Sequence, residues 1–218
     1  MISEKTVELN LTTEFINWLS HQHHVSYFAV GPTQPQEAKW GFDAGIFGNS
    51  TGALIQYKRA YVTGSTWEWR LNRTKNQDQL YRLQNLEQAG HPVFFAFPHF
   101  CTLVDVKNHR RRLLTKTFWY KPSQINPSGG PNGHHDVRYD ETTKKWTVHS
   151  DDPVELPPPV TLGEVIEQID SSSNRLGSLA EAFYLIVLGE SEVPDTIVRE
   201  DAEASVLSGV CLIGRAEA

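Results

Sequence analysis

The side chains best suited to chemistry lie close together in the stretch EAKWGFDAGIFGNSTGALIQYK, residues 37–58. Asp43 offers a carboxylate, Gln56 an amide oxygen and Lys58 an ammonium. Gln56 and Lys58 are two positions apart, so on a strand they share a face, while Ile55, Tyr57 and Arg59 point the other way. Asp43 precedes them across a turn signal, and antiparallel pairing brings it alongside. Carboxylate and amide oxygens are hard donors that suit Mg²⁺ or Mn²⁺. A divalent ion polarises a phosphate and acidifies a water. Lys58 would then stabilise the charge on a pentacovalent phosphorus, or orient and help deprotonate the attacking water. The chemistry expected is metal-assisted phosphodiester hydrolysis. One carboxylate is few for such a site, so a second acid is wanted: Glu37 first, with Glu14 and Glu8 as alternatives.

A hairpin must carry these residues, and the surrounding pattern supplies one. Trp40 to Phe47 and Ala53 to Tyr61 have strand character, and Asn49-Ser50-Thr51-Gly52 between them is a polar, glycine-containing turn. Upstream, Thr12 to Gln22 is predicted to be a helix capped by Thr12 or Thr13, with Phe15, Ile16, Trp18 and Leu19 on its apolar side. Val25 to Val30 reads as a strand, and TQPQEAK (33–39), which holds Glu37, as a polar loop. Downstream, Lys75 to Ala89 is a predicted helix ended by Gly90. Val93 to Phe97 reads as a buried strand, with Cys101 to Val106 continuing the sheet. Residues 122–133 read as a loop, Asp136 to Asp140 with Lys145 to His149 as a small hairpin, and Leu156 to Pro159 as a stiff connector. Helices are predicted at Leu162 to Ile169 and Leu176 to Leu188, before an acidic end. The order is that of an α/β fold, one mixed sheet with helices against it.

Glu37 to Ala60 resembles the active-site hairpin of the restriction-endonuclease-like superfamily, the PD-(D/E)XK nucleases. The closest style is the QxK branch, with Gln in place of the central acid, as in Mrr-like restriction enzymes. Asn76 to Phe100 is similar to the helix and strand that complete that core of a helix, three strands, a helix and a further strand. The resemblance implies a restriction-endonuclease-like mixed central sheet flanked by helices, expected over residues 1–121; it covers about the first hundred residues, and residues 122–218 are expected to be an appended β-hairpin and helical region packed on that core, with an acidic tail. It implies Asp43 as the metal-binding Asp, Gln56 at the variable acid position, Lys58 as the catalytic Lys and Glu37 as an upstream acid. It also implies Mg²⁺ or Mn²⁺, DNA as substrate, and a role in defence against phage or foreign DNA, with a homodimer or a defence-complex partner. Phe42 stands where many members have Pro. Gln56 replaces a charged ligand, which leaves a second reading open: an inactive relative that binds nucleic acid or a protein.

Charge is unevenly spread. The chain of 218 residues carries a net charge of −6, which excludes a uniformly basic nucleic-acid coat. Residues 58–121 nevertheless hold twelve Lys and Arg against four Asp and Glu. Arg59, Arg70, Arg73, Lys75, Arg110, Arg111 and Arg112 are the expected phosphate contacts. Trp67, Trp69, Phe118, Trp119 and Tyr120, interleaved with them, either stack on bases or fill the core. Two cysteines without a CxxC fit a reducing cytosol. No basic-then-apolar leader opens the chain, and its longest apolar run, Ala182 to Leu188, is far short of the ~20 residues that span a bilayer. A soluble cytoplasmic protein without a membrane partner is expected. No GxxxxGK[ST] occurs, which excludes a P-loop ATPase. Asn132, His134, His135 and Asp136 have the composition of a ββα metal nuclease, but the strand-like KKWTVHS that follows lacks the ligand-bearing helix. His21, His23 and His24 are expected at a helix end, and His99 and His109 at the surface.

Overall fold

Ser3 starts the first helix. Its hydroxyl accepts the Thr6 amide at 3.1 Å, so α1 runs Glu4–His23. Thr12 and Thr13 are therefore mid-helix rather than caps, and Glu14 is not in the first turn. Val7, Leu11, Phe15 and Leu19, four apart, form a fully buried stripe. His24 ends the helix in the left-handed conformation, with His21 and His23 in the last turn as expected. The computed structural model describes residues 1–48, 51–72 and 78–171. Arg73, Lys75 and the predicted helix at 176–188 lie outside the described residues.

After β1 (Phe28–Val30) the predicted polar loop is a helix, α2 (Gln34–Trp40). The Gln36 side chain accepts the Thr33 amide at 2.8 Å, and Pro35 fits the first turn, where an amide donor is not needed. Gly41 closes α2 at φ 84°, so the next strand starts later than Trp40. That strand, β2 (Ala44–Phe47), pairs antiparallel with β3 (Gly52–Tyr57), the hairpin the sequence predicts.

A second hairpin, β4 (Tyr61–Thr63) and β5 (Thr66–Asn72), follows and was not predicted. Then come α3 (Gln79–Gln88), β6 (Val93–Pro98) and α4 (Leu103–His109). The expected strand at Cys101 to Val106 is thus a helix start: Thr102 and Asp105 form a reciprocal capping box, which outweighs the β-branched Thr and Val residues. A short 3-10 turn (Leu114–Lys116) leads into β7 (Thr117–Tyr120). β8 (His135–Asp140) and β9 (Lys145–His149) form the predicted hairpin, followed by β10 (Val154–Glu155) and α5 (Leu162–Ser171).

These strands make two sheets. The first has the order β1-β2-β3-β6-β7 and is mixed, with β3 and β6 parallel. The second, β10-β9-β8-β5-β4, is antiparallel throughout. The fold is therefore α/β, with two sheets rather than one. Among the described residues the compact unit continues past residue 121 to residue 171, because β8 to β10 complete the second sheet.

The stripe of α1 packs with Val165 and Ile169 of α5 against Ile55, Tyr57 and Phe94 of the first sheet. The other seam is aromatic. Trp67, Tyr139 and Trp146 align across β5, β8 and β9, with Trp69, Val137 and Val148 in the next row. Trp69 stacks on Phe97 of β6 at 5.3 Å, and Phe118 of β7 meets Trp146 edge-on at 4.7 Å. Trp69 also donates its indole N–H to the Pro98 carbonyl at 3.1 Å, so its polar edge is satisfied inside the core.

Candidate active site

Because β3 and β6 are parallel and β2 is antiparallel to both, Asp43, just before β2, and Lys58, just after β3, lie at one end of the sheet. The Asp43 amide bonds the Ile55 carbonyl at 3.0 Å and the Lys58 amide bonds Ala96 at 3.1 Å, which extends the ladder to both residues. α1 and α3 bring their N-terminal ends to the same edge, as the contacts of Glu4 and Gln79 with Lys58 show.

Asp43 and Gln56 touch. Asp43 Oδ2 accepts from Gln56 Nε2 at 2.6 Å and from the Tyr57 amide at 2.8 Å. Gln56 Nε2 also donates to the Tyr57 carbonyl at 3.1 Å, and these two acceptors fix which way the amide faces. Among the described residues, Gln56 Oε1 is consequently buried with no hydrogen-bond partner. Such an orphan acceptor in a native fold calls for an explanation.

Lys58, only 8% exposed, donates from Nζ to Gln79 Oε1 at 2.8 Å and lies 3.7 Å from Glu4 Oε1. Gln79 Nε2 in turn donates to the Gly41 carbonyl at 3.1 Å. The Asp43 carboxyl is pushed up to about 7, first by burial and then by the negative charges of Glu37 and Glu4. Lys58 and the Tyr57 amide pull in the opposite direction but do not win. On the other face of β3, burial holds the Tyr57 phenol far above its ordinary range, and its oxygen accepts from Thr12 at 2.9 Å.

The candidate second acids separate. Glu37 lies on α2 rather than in a loop, and its charge is felt at Asp43. Glu14 is committed elsewhere: its carboxylate accepts the amides of Leu113 and Leu114 at 3.2 and 3.1 Å, tying α1 to the turn before β7. Glu8 pairs with Lys5 at 2.6 Å. Glu4, which sequence reasoning missed because it placed the helix start at Thr12, reaches Lys58 and acts on Asp43. Gln79 was missed as well, since no spacing rule links the start of α3 to Lys58.

Do these donors fit a divalent ion? Among the described residues no three His, Cys, Asp or Glu side chains converge to hold one. Mg²⁺, however, usually keeps several waters and takes one or two carboxylates together with substrate phosphate oxygens. A carboxyl whose charge the fold disfavours, beside an orphaned amide oxygen, is a place where a cation relieves both costs. The donor set fits on that ground.

The expected phosphate contacts fall into two groups. Arg59 and Arg70 flank Tyr61, with guanidinium carbons 4.6 and 4.2 Å from its ring centre. Arg70 also bonds Glu68 at 3.0 Å, and Glu68 and Asp136 further pair with Arg138, so much of the charge on that sheet face is compensated. Arg110, Arg111 and Arg112 are exposed after α4. Trp69, Trp119 and Tyr120 are buried core, which removes them as base-stacking platforms. His134, His135 and Asp136 stand at the start of β8, and β9 rather than a helix follows. His99 is not simply a surface residue: its ring meets that of Trp67 at 4.2 Å, tilted by 56°, and it bonds Glu141 at 2.8 Å.

Compared with known protein families, curated proteins and solved structures, the chain matches none. Its site rests on its own geometry. No helix among the described residues is long and apolar enough to cross a membrane.

Proposed function

We propose that this protein is a divalent-metal-dependent nuclease of the restriction-endonuclease-like fold, hydrolysing phosphodiester bonds in DNA. The observation that carries the reading is the meeting of Asp43, the orphaned Gln56 Oε1 and Lys58 at the end of the β3–β6 pair. Asp43 and Gln56 would hold Mg²⁺ or Mn²⁺, with Glu37 or Glu4 adding negative charge. The ion supplies polarisation of a phosphate and an acidified water. Lys58, braced by Gln79, presents a fixed positive charge to the phosphoryl oxygens as charge builds there. Glu4, whose carboxylate lies 3.7 Å from Lys58 Nζ, would be the group to accept a proton from an attacking water. Exposed Arg110, Arg111 and Arg112, with Arg59, would contact the phosphate backbone. DNA and a role in defence follow from the resemblance to QxK nucleases.

One observation favours a second reading, a silent relative that binds nucleic acid. The Gln56 amide already satisfies Asp43 Oδ2, so the site is closed by a hydrogen bond with no ion required. Cleavage separates the two. Supercoiled plasmid, single-stranded DNA and RNA are incubated with Mg²⁺ or Mn²⁺ and wild type, Asp43→Ala or Lys58→Ala. The nuclease reading predicts cutting by wild type that falls at least ~100-fold in both variants. Equal cutting by all three proteins, or cutting by none, would refute it, and binding without cutting would select the silent relative.

A further inference from the structure

We propose that Gln79 is a positioning residue for Lys58, locking the ammonium and the Gly41–Asp43 segment into one unit. The proposal deepens the hydrolytic reading above and rests on it for its consequence in catalysis. Gln79 is the first residue of α3, outside the hairpin that carries Asp43, Gln56 and Lys58. Its Oε1 accepts from the Lys58 ammonium at 2.8 Å, nearer than Glu4 at 3.7 Å. Its Nε2 donates to the Gly41 carbonyl at 3.1 Å, two residues before Asp43. The orientation is fixed by chemistry, because an ammonium only donates and a carbonyl only accepts.

Few side chains can do both jobs. The residue must accept on one side and donate on the other, and it must span from α3 to both partners. Glu accepts from Lys58 but sets a second oxygen against the Gly41 carbonyl, while an apolar residue serves neither. The approach of the two segments is close: a Cβ on Gly41 would stand 3.3 Å from the Gln79 carbonyl oxygen and 3.5 Å from its Cγ. Gly41 also sits at φ 84°, so glycine there permits both the turn out of α2 and the contact with α3. Lys58 has a flexible four-carbon stem, and with the residue only 8% exposed its aim is set by its partners. Without Gln79 the ammonium would be left with the longer Glu4 contact at 3.7 Å and would lose its fixed aim.

The test compares the full-length wild type with Gln79→Met and Gln79→Glu, after thermal melts establish that each folds. Two readouts are taken. In Mg²⁺-dependent plasmid cleavage, Gln79→Met should lower kcat about 10- to 100-fold, the range for a hydrogen bond to a charged group, with KM within about twofold. Independently of activity, amine acetylation followed by peptide mass spectrometry reads the accessibility of Lys58, with exposed Lys5 as the internal standard. Gln79→Met should raise Lys58 labelling several-fold over wild type, and Gln79→Glu, which keeps the acceptor, should hold it at or below the wild-type rate. Unchanged labelling in Gln79→Met overturns the proposal, as does wild-type kcat in that variant. Should the Met variant not fold, faster Lys58 labelling in Gln79→Glu than in wild type overturns it alone. If no protein cuts but the labelling order holds, Gln79 positions Lys58 and the nuclease reading falls.

Discussion

Asp43 gives a prediction that needs neither substrate nor activity. Its carboxyl titrates at about 7 in the fold against 3.8 ordinarily, with burial as the main cause. Between those values the native state holds a proton that the unfolded chain has released, so stability falls as pH rises through that window. Three pH units at about 1.4 kcal/mol each set a ceiling of about 4 kcal/mol at pH 8. Asp43→Asn mimics the protonated acid: its side-chain oxygen can still accept from Gln56 Nε2 and the Tyr57 amide. The variant should therefore match wild type near pH 4 and exceed it by about 2–4 kcal/mol at pH 8, or roughly 5–15 °C in Tm for a chain of this size. Urea denaturation across pH 4–8 in EDTA reads this directly. Adding Mg²⁺ at pH 8 should stabilise wild type and leave Asp43→Asn unmoved. Parallel stability curves for the two proteins, or a less stable Asn variant at pH 8, would refute the reasoning.

Three further outcomes are expected. Glu14→Ala strips the acceptor from the Leu113 and Leu114 amides and should cost about 1–3 kcal/mol in urea denaturation, with the stabilisation by Mg²⁺ unchanged; a lost Mg²⁺ response would return Glu14 to the site. Trp69→Ala empties the aromatic seam between the sheets and should cost about 3–5 kcal/mol, so a calorimetric loss below about 1 kcal/mol would contradict the packing described. Replacing Arg110, Arg111 and Arg112 by Gln should flatten the salt dependence of DNA binding by about 0.9 in log–log slope per contact removed; an unchanged slope would take these residues off the interface.

Local signals carried much of the fold. The Asn49–Gly52 turn between two apolar runs announced the β2–β3 hairpin, and with it the meeting of Asp43, Gln56 and Lys58. VFFAF announced β6 in the same way. What failed were features that depend on capping or on distant partners. Thr12 and Ser3 are equally good caps by type, and only the longer buried stripe beginning at Val7 decides for Ser3. Thr102 with Asp105 turned a β-branched stretch into α4. The β4–β5 hairpin was legible in retrospect, since VTGSTWEW alternates around Gly64 at φ 60°. Its aromatics are open by sequence between a base-stacking face and the core, and they belong to the core of a second sheet. Glu4 and Gln79 reach Lys58 across 54 and 21 positions of sequence, and no local rule joins them.

The central claim is that Asp43 and Gln56 make a seat for a divalent cation, and Mn²⁺ titration followed by electron paramagnetic resonance tests it most directly. One bound Mn²⁺ per wild-type chain, abolished in Asp43→Asn and weakened in Gln56→Leu, is the predicted result. Equal binding by all three proteins, or none by wild type at millimolar Mn²⁺, would contradict it.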